Sequence, residues 1–225
     1  MAYRREIEIV FDMASFQPGQ PNATIDLWYI AGRRGGSRSN HDDDDDLQRA
    51  TTDFFLQCIR DKLRGLSQQQ TKPARMLSMV RASWDRATTV AKQVRLLNVV
   101  FPTTVTRTSD SSVAVRSSLL LEPVATRVEV VLHLHGGGVS SPDDDENDDD
   151  ENSCGGAVEV AIVPQASVVY GEHFKAGKMA EFLAARIGSR VVGAEEAKRK
   201  GIKKAESWCD VVVDLHGKLL SRGKR

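Results

Sequence analysis

Cysteine is scarce in this chain. The three present, Cys58, Cys154 and Cys209, are odd in number and show no CxxC spacing. That argues against a disulfide framework or a structural zinc site and fits a reducing compartment. No uninterrupted apolar run approaches the roughly 18 residues that a membrane helix needs. The opening Met1-Ala2-Tyr3-Arg4-Arg5 lacks the apolar stretch of a secretory signal. Asn22-Ala23-Thr24 matches a glycosylation sequon that stays idle without a secretory route. A soluble, intracellular protein is expected. Catalytic signatures are missing too: there is no GxSxG nucleophile elbow, no P-loop and no GxGxxG phosphate turn.

What is present is enough to fold. The chain has 225 residues, 40% of them hydrophobic, which allows one medium domain or two small ones. Formal net charge is zero, but the charges are segregated. Asp42 to Asp46 supply five acids, and the segment 143–151 supplies eight. Setting those 13 aside leaves 18 acids against 31 Lys and Arg. The body of the protein is therefore basic: either a solvated surface, or one that meets acidic partners.

A long helix over 71–98 organises the reading. Leu77, Val80, Trp84, Ala87, Ala91 and Val94 recur at steps of three and four, which draws one apolar stripe. Thr71 with Pro73 predicts a capped start, and Pro102 closes the far end. Before this helix, 5–12 alternates Ile7, Ile9 and Phe11 with Glu6 and Glu8, a half-buried strand. Its position almost at Met1 hints at a fragment or a shortened gene product. A second strand is expected over 24–31. The segment 32–50 reads as a disordered acidic loop. Thr52 or Asp53 then caps a short helix that buries Phe55, Ile59, Leu63 and Leu66. Beyond Pro102, strands are expected over 112–121, 126–135, 157–163 and 167–170, with Pro164 interrupting the last two. A second disordered acidic insertion is expected over 136–156. Helices over 173–187 and 203–221 follow. Strands followed by helices, twice over, indicate an α+β fold.

Chemistry is weakly represented. His135-Gly136-Gly137-Gly138 follows a strand, as an oxyanion-hole segment does in esterases and lipases. An esterase-like α/β hydrolase is thus the alternative reading, and the absent GxSxG opposes it. His133 and His135 share a strand face, but two imidazoles with no further ligand at suitable spacing do not make a tetrahedral metal site. The aspartate runs lack the alternating ligands and mid-loop glycine of a calcium loop. Asp214 and His216, two apart on a helix, point to different sides and are not a catalytic pair. Basic clusters at 198–204 and 222–225 raise nucleic-acid binding as a third reading, though only Trp208 lies near them. Ser141-Pro142 before the acids resembles a kinase target. No catalytic, cofactor or metal residue is assigned.

Three blocks carry a resemblance. The first is Thr52-Asp53-Phe54-Phe55-Leu56-Gln57-Cys58-Ile59-Arg60, through Gln68-Gln69-Gln70-Thr71-Lys72, to Ser83-Trp84-Asp85. The second is Val168-Val169-Tyr170-Gly171-Glu172 with Lys178-Met179-Ala180-Glu181-Phe182-Leu183. The third runs from Ser207-Trp208 through Leu215-His216-Gly217-Lys218-Leu219-Leu220 to Gly223. Together they resemble the C-terminal region of the fungal Spc/KNL (blinkin) kinetochore scaffold, over nearly the whole chain apart from the acidic loops.

The resemblance implies two small RWD domains in tandem, each an antiparallel sheet packed by helices, sharing the long central helix. The first would span 1–98, truncated or with a degenerate sheet, and the second 99–225. It also implies a non-enzymatic protein-binding module in the nucleus, at the centromere and kinetochore. There the family docks onto the MIND complex within the KMN network, during chromosome segregation and microtubule attachment. The docked peptide is expected on a sheet edge or in a groove between the units. No cofactor, membrane or direct nucleic-acid partner is implied, and the partner-binding residues stay unknown. MELT-type repeats, an RVxF motif and a long heptad coiled coil are absent from the sequence. Checkpoint-protein and phosphatase recruitment therefore do not carry over.

Overall fold

The computed structural model of the protein describes residues 2–3, 7–10, 17, 25–29, 42–64, 72–137, 156–171, 174–193, 197 and 206–222. Strands β1 (Ala2–Tyr3), β2 (Ile7–Val10) and β3 (Asp26–Tyr29) form one antiparallel sheet in the order β1-β2-β3. Helices α1 (Asp42–Arg64) and α2 (Pro73–Val100) follow. Strands β4 (Thr103–Ser109), β5 (Ser112–Leu121), β6 (Thr126–Gly136) and β7 (Val160–Tyr170) make a second antiparallel sheet in sequence order. Helices α3 (Ala176–Ile187) and α4 (Trp208–Arg222) complete the chain. The fold is α+β, with a sheet and then two helices in each half, as expected.

The period-two pattern dictates the second sheet. Val113, Val115, Leu119 and Leu121 of β5 lie beside Val128, Val130, Leu132 and Leu134 of β6, all buried. Arg116, Arg127, Glu129 and His133 occupy the opposite face. At the β5–β6 turn, residues Glu122–Val124 form one 3-10 turn, and Ala125 adopts φ 45° to bring the chain back. The small sheet is built the same way, with Ile7, Ile9 and Leu27 buried and Glu8 exposed. Arg60 of α1 ties it down by donating to Leu27 O at 2.8 Å.

One hydrophobic core runs through both halves, from Ile7 to Leu219. Helix α2 lies across it. The expected stripe is there: Val80, Trp84, Ala87 and Val94 are buried, and Leu77 and Ala91 lie half-buried beside them. Polar groups on α2 fasten the segment leading into β7. Val158 N donates to Ser83 Oγ at 2.9 Å, while Ser83 Oγ donates to Met79 O at 2.7 Å. Arg86 donates to Val158 O at 2.7 Å, and Lys62 of α1 reaches Ala157 O at 3.3 Å. Burial of these backbone groups without such partners would cost about 1–3 kcal/mol each.

Several expectations need correction. Helix α1 starts at Asp42, so the aspartate run belongs to its first turns and not to a loop. Carboxylates at a helix N-terminus meet the positive end of the helix dipole, which favours helix where composition alone suggests a solvated loop. Thr52 and Asp53 consequently sit inside the helix rather than capping it. The cap of α2 is Lys72, without a side-chain hydrogen bond, and Pro73 supplies the start. β7 runs unbroken through Pro164, because on an edge strand a missing N–H faces no neighbour. β4 went unassigned in the sequence because its threonine-rich face is mostly exposed, so it shows no inward alternation.

Other expectations lie outside the described residues. These are the ends of the second strand, segments 32–41 and 138–155, and the Leu66 side chain. The 198–204 basic cluster lies outside them too, whereas the helix expected over 173–187 starts only at Ala176, with Lys175 as its cap.

Candidate docking site

The sequence around α3 and α4 dictates two amphipathic helices packed side by side. Met179, Leu183 and Ile187 bury one face of α3, and Trp208, Val212, Leu215 and Leu219 bury one face of α4. Gly188, at φ 83°, ends α3 in a conformation that disfavours any residue with a Cβ. The α4 start is capped from α2: Gln93 Oε1 accepts from Trp208 N at 2.9 Å and from Ser207 Oγ at 3.1 Å. A side-chain oxygen at this point satisfies an N–H that the helix itself leaves without a partner. Arg186 locks the pair laterally, binding Glu206 and reaching Asp214 at 2.6 Å. Those two carboxylates raise its already high pKa.

Between the two helices lies a surface groove of about 810 Å³. Its apolar lining is Phe174, Met179, Phe182, Leu215 and Leu219. Its rim carries Lys175, Lys178, Lys218 and Arg222 against one acid, Glu181. Lys218 Nζ stands 4.0 Å from the Phe182 ring centroid, a cation-π contact that leaves its charge facing the groove. Among the described residues none of the four cations is paired with a carboxylate. Phe182 is half-buried and walls this groove.

The other candidate positions have other duties. Gly136 N donates to Ser111 O at 2.8 Å and Gly137 N to Glu159 O at 3.2 Å. Among the described residues of the supposed oxyanion segment, both glycine N–H groups are thus spent on backbone carbonyls. His133 Nε2 meets Gln165 Oε1 at 3.2 Å, and its ring stacks on His135 with centroids 6.2 Å apart. Asp214 binds Arg186, whereas His216 Nε2 meets Leu120 O at 3.1 Å and its ring packs on Phe101. The two diverge, as their spacing on α4 requires. Ser141, Pro142 and Cys154 lie outside the described residues.

Comparison with known families gives one decisive finding. Residues 1–91 match the family model of the Knl1 RWD C-terminal domain. The first part of the chain is similar to the Knl1 RWD C-terminal domain. Domains of this type are non-catalytic protein-interaction modules of kinetochore scaffolds, and the sheet-then-helices order of the fold agrees. The Knl1 match bears out the resemblance over residues 1–91, though not its fungal branch. It ends inside α2, so the α3–α4 groove lies wholly beyond it. No curated protein and no solved structure matches the chain. Among the described residues no helix is long and apolar enough to cross a membrane.

The groove was missed at the sequence level because its residues come from two helices far apart in the chain. A trace existed nonetheless. Lys178 and Phe182 are four apart on α3, and Lys218 and Arg222 are four apart on α4. That spacing puts each pair on one helix face.

Proposed function

We propose that this protein is the non-enzymatic docking end of a kinetochore scaffold, seating it on the MIND complex within the KMN network. The observation that carries the reading is the Knl1 RWD match over residues 1–91. The resemblance of the later blocks, 168–183 and 207–223, supports extending it to a second RWD-like unit. On this reading the units divide at 1–98 and 99–225, with α2 as the shared spine. The protein then acts in the nucleus at the centromere, in chromosome segregation. The basic rim of the α3–α4 groove favours an acidic partner and makes association sensitive to salt.

Gel filtration of the purified chain with recombinant MIND complex tests the proposal. Co-elution at low salt, weakening at moderate salt, is expected. Separate elution under both conditions would overturn it. No observation favours the hydrolase reading, since the Gly136 and Gly137 N–H groups are both engaged.

A further inference from the structure

We infer that the α3–α4 groove receives an acidic amphipathic helix from a partner protein. The inference rests on the protein-binding reading but not on MIND as the partner. Three features point to that occupant. The floor is apolar and includes the half-buried ring of Phe182, so a purely polar ligand would leave it wet. The rim is cationic on both helices, with Lys175 and Lys178 on one side and Lys218 and Arg222 on the other. The neighbouring cation, Arg186, is held by Glu206 and Asp214, whereas none of the four rim cations has a carboxylate partner among the described residues.

The chemistry of the occupant follows from this shape. Two packed helices leave a long furrow between them, and a third helix laid in it presents side chains at i, i+3, i+4 and i+7. Apolar residues at those positions would fill the floor. Glu or Asp on the flanks would reach the lysines at the rim, where exposed charge pairs add selectivity more than strength. Phosphate-bearing polymers would satisfy the rim but not the floor.

An isotope-labelled sample of the full chain, titrated by NMR, tests this. The probe is a synthetic peptide of roughly 16 residues, long enough for a helix to be populated. It carries Leu and Phe on one helical stripe and Glu elsewhere. Amide shifts are expected to concentrate at Lys178, Phe182, Leu215 and Lys218, with the same peptide carrying Lys for Glu giving none. The Lys178→Glu/Lys218→Glu variant should bind about tenfold more weakly, the sum of two modest pairs and their reversal. Both side chains are exposed, so the variant keeps its fold, checked by an unchanged melting temperature. Phe182→Ala should weaken binding about fivefold or more, as loss of an aromatic anchor does.

Several results would overturn the inference: no shifts at millimolar peptide, shifts mapping away from α3 and α4, or equal binding of the lysine-bearing peptide. So would tighter binding of a short DNA duplex in the same groove, or groove shifts that depend on the concentration of the chain alone. A peptide that binds while MIND fails to co-elute would keep the groove and remove the named partner. The reverse outcome would remove the groove alone.

Discussion

At the level of single residues, the most telling contact joins the two halves at Gly136. A Cβ built there would collide with Cys58 Sγ of α1 and approach Phe54. The glycine that resembled part of an oxyanion segment is therefore a packing residue, where a helix meets the end of β6. Gly136→Ala should destabilise the protein by about 1–3 kcal/mol, the usual cost of overpacking a core. Chemical denaturation reads this directly. Cys58 itself is 8% exposed, and burial, with Asp61 adding to it, pushes its thiol up to about 11 from the ordinary 9.0. An unfolded chain releases that proton near 9.0 and the folded chain only near 11. Between those values the folded state holds more protons, so stability is full below the window and falls as pH rises through it. The loss should total about 2–3 kcal/mol. Alkaline denaturation series should show a steeper slope in the parent protein than in Cys58→Ala, where the raised thiol of Cys209 remains.

At the level of elements, α2 carries the assembly. Its stripe was legible because 3.6-residue periodicity survives wherever one helix face meets a core. Trp84 is 3% exposed, so Trp84→Ala should cost about 3–5 kcal/mol. Its polar fastenings were not legible. Nothing in the sequence links Ser83 to Val158 or Gln93 to Trp208, because such bonds depend on how distant segments are brought together. Ser83→Ala should cost about 1–3 kcal/mol through the orphaned Val158 N–H. Gln93→Ala should cost about 1 kcal/mol as a lost helix cap. Hydrogen exchange would separate the two, with protection falling first at the start of β7 in one and in α4 in the other. β5 and β6 were readable for the same reason as α2, since each buries one clean face. β4 and the Asp42–Asp46 turn were not. An edge strand of exposed threonines and a helix start made of acids both look like loop when judged by polarity alone.

For the whole molecule, the two sheets and four helices of the described residues share one core, with polar ties from α1 and α2 into the start of β7. That construction suits a rigid docking platform. α2 fixes how the halves face each other, and α4, capped from α2, fixes one wall of the groove. The family signal covers residues 1–91, whereas the basic groove belongs to the remainder. On the proposed reading, such a scaffold end holds its partner by shape and charge. Sedimentation velocity of an equimolar mixture of the chain and the MIND complex tests this most directly. A single boundary with the mass of both components at low salt, splitting as salt rises, is the predicted result. Two boundaries that sediment independently at every salt concentration would contradict it.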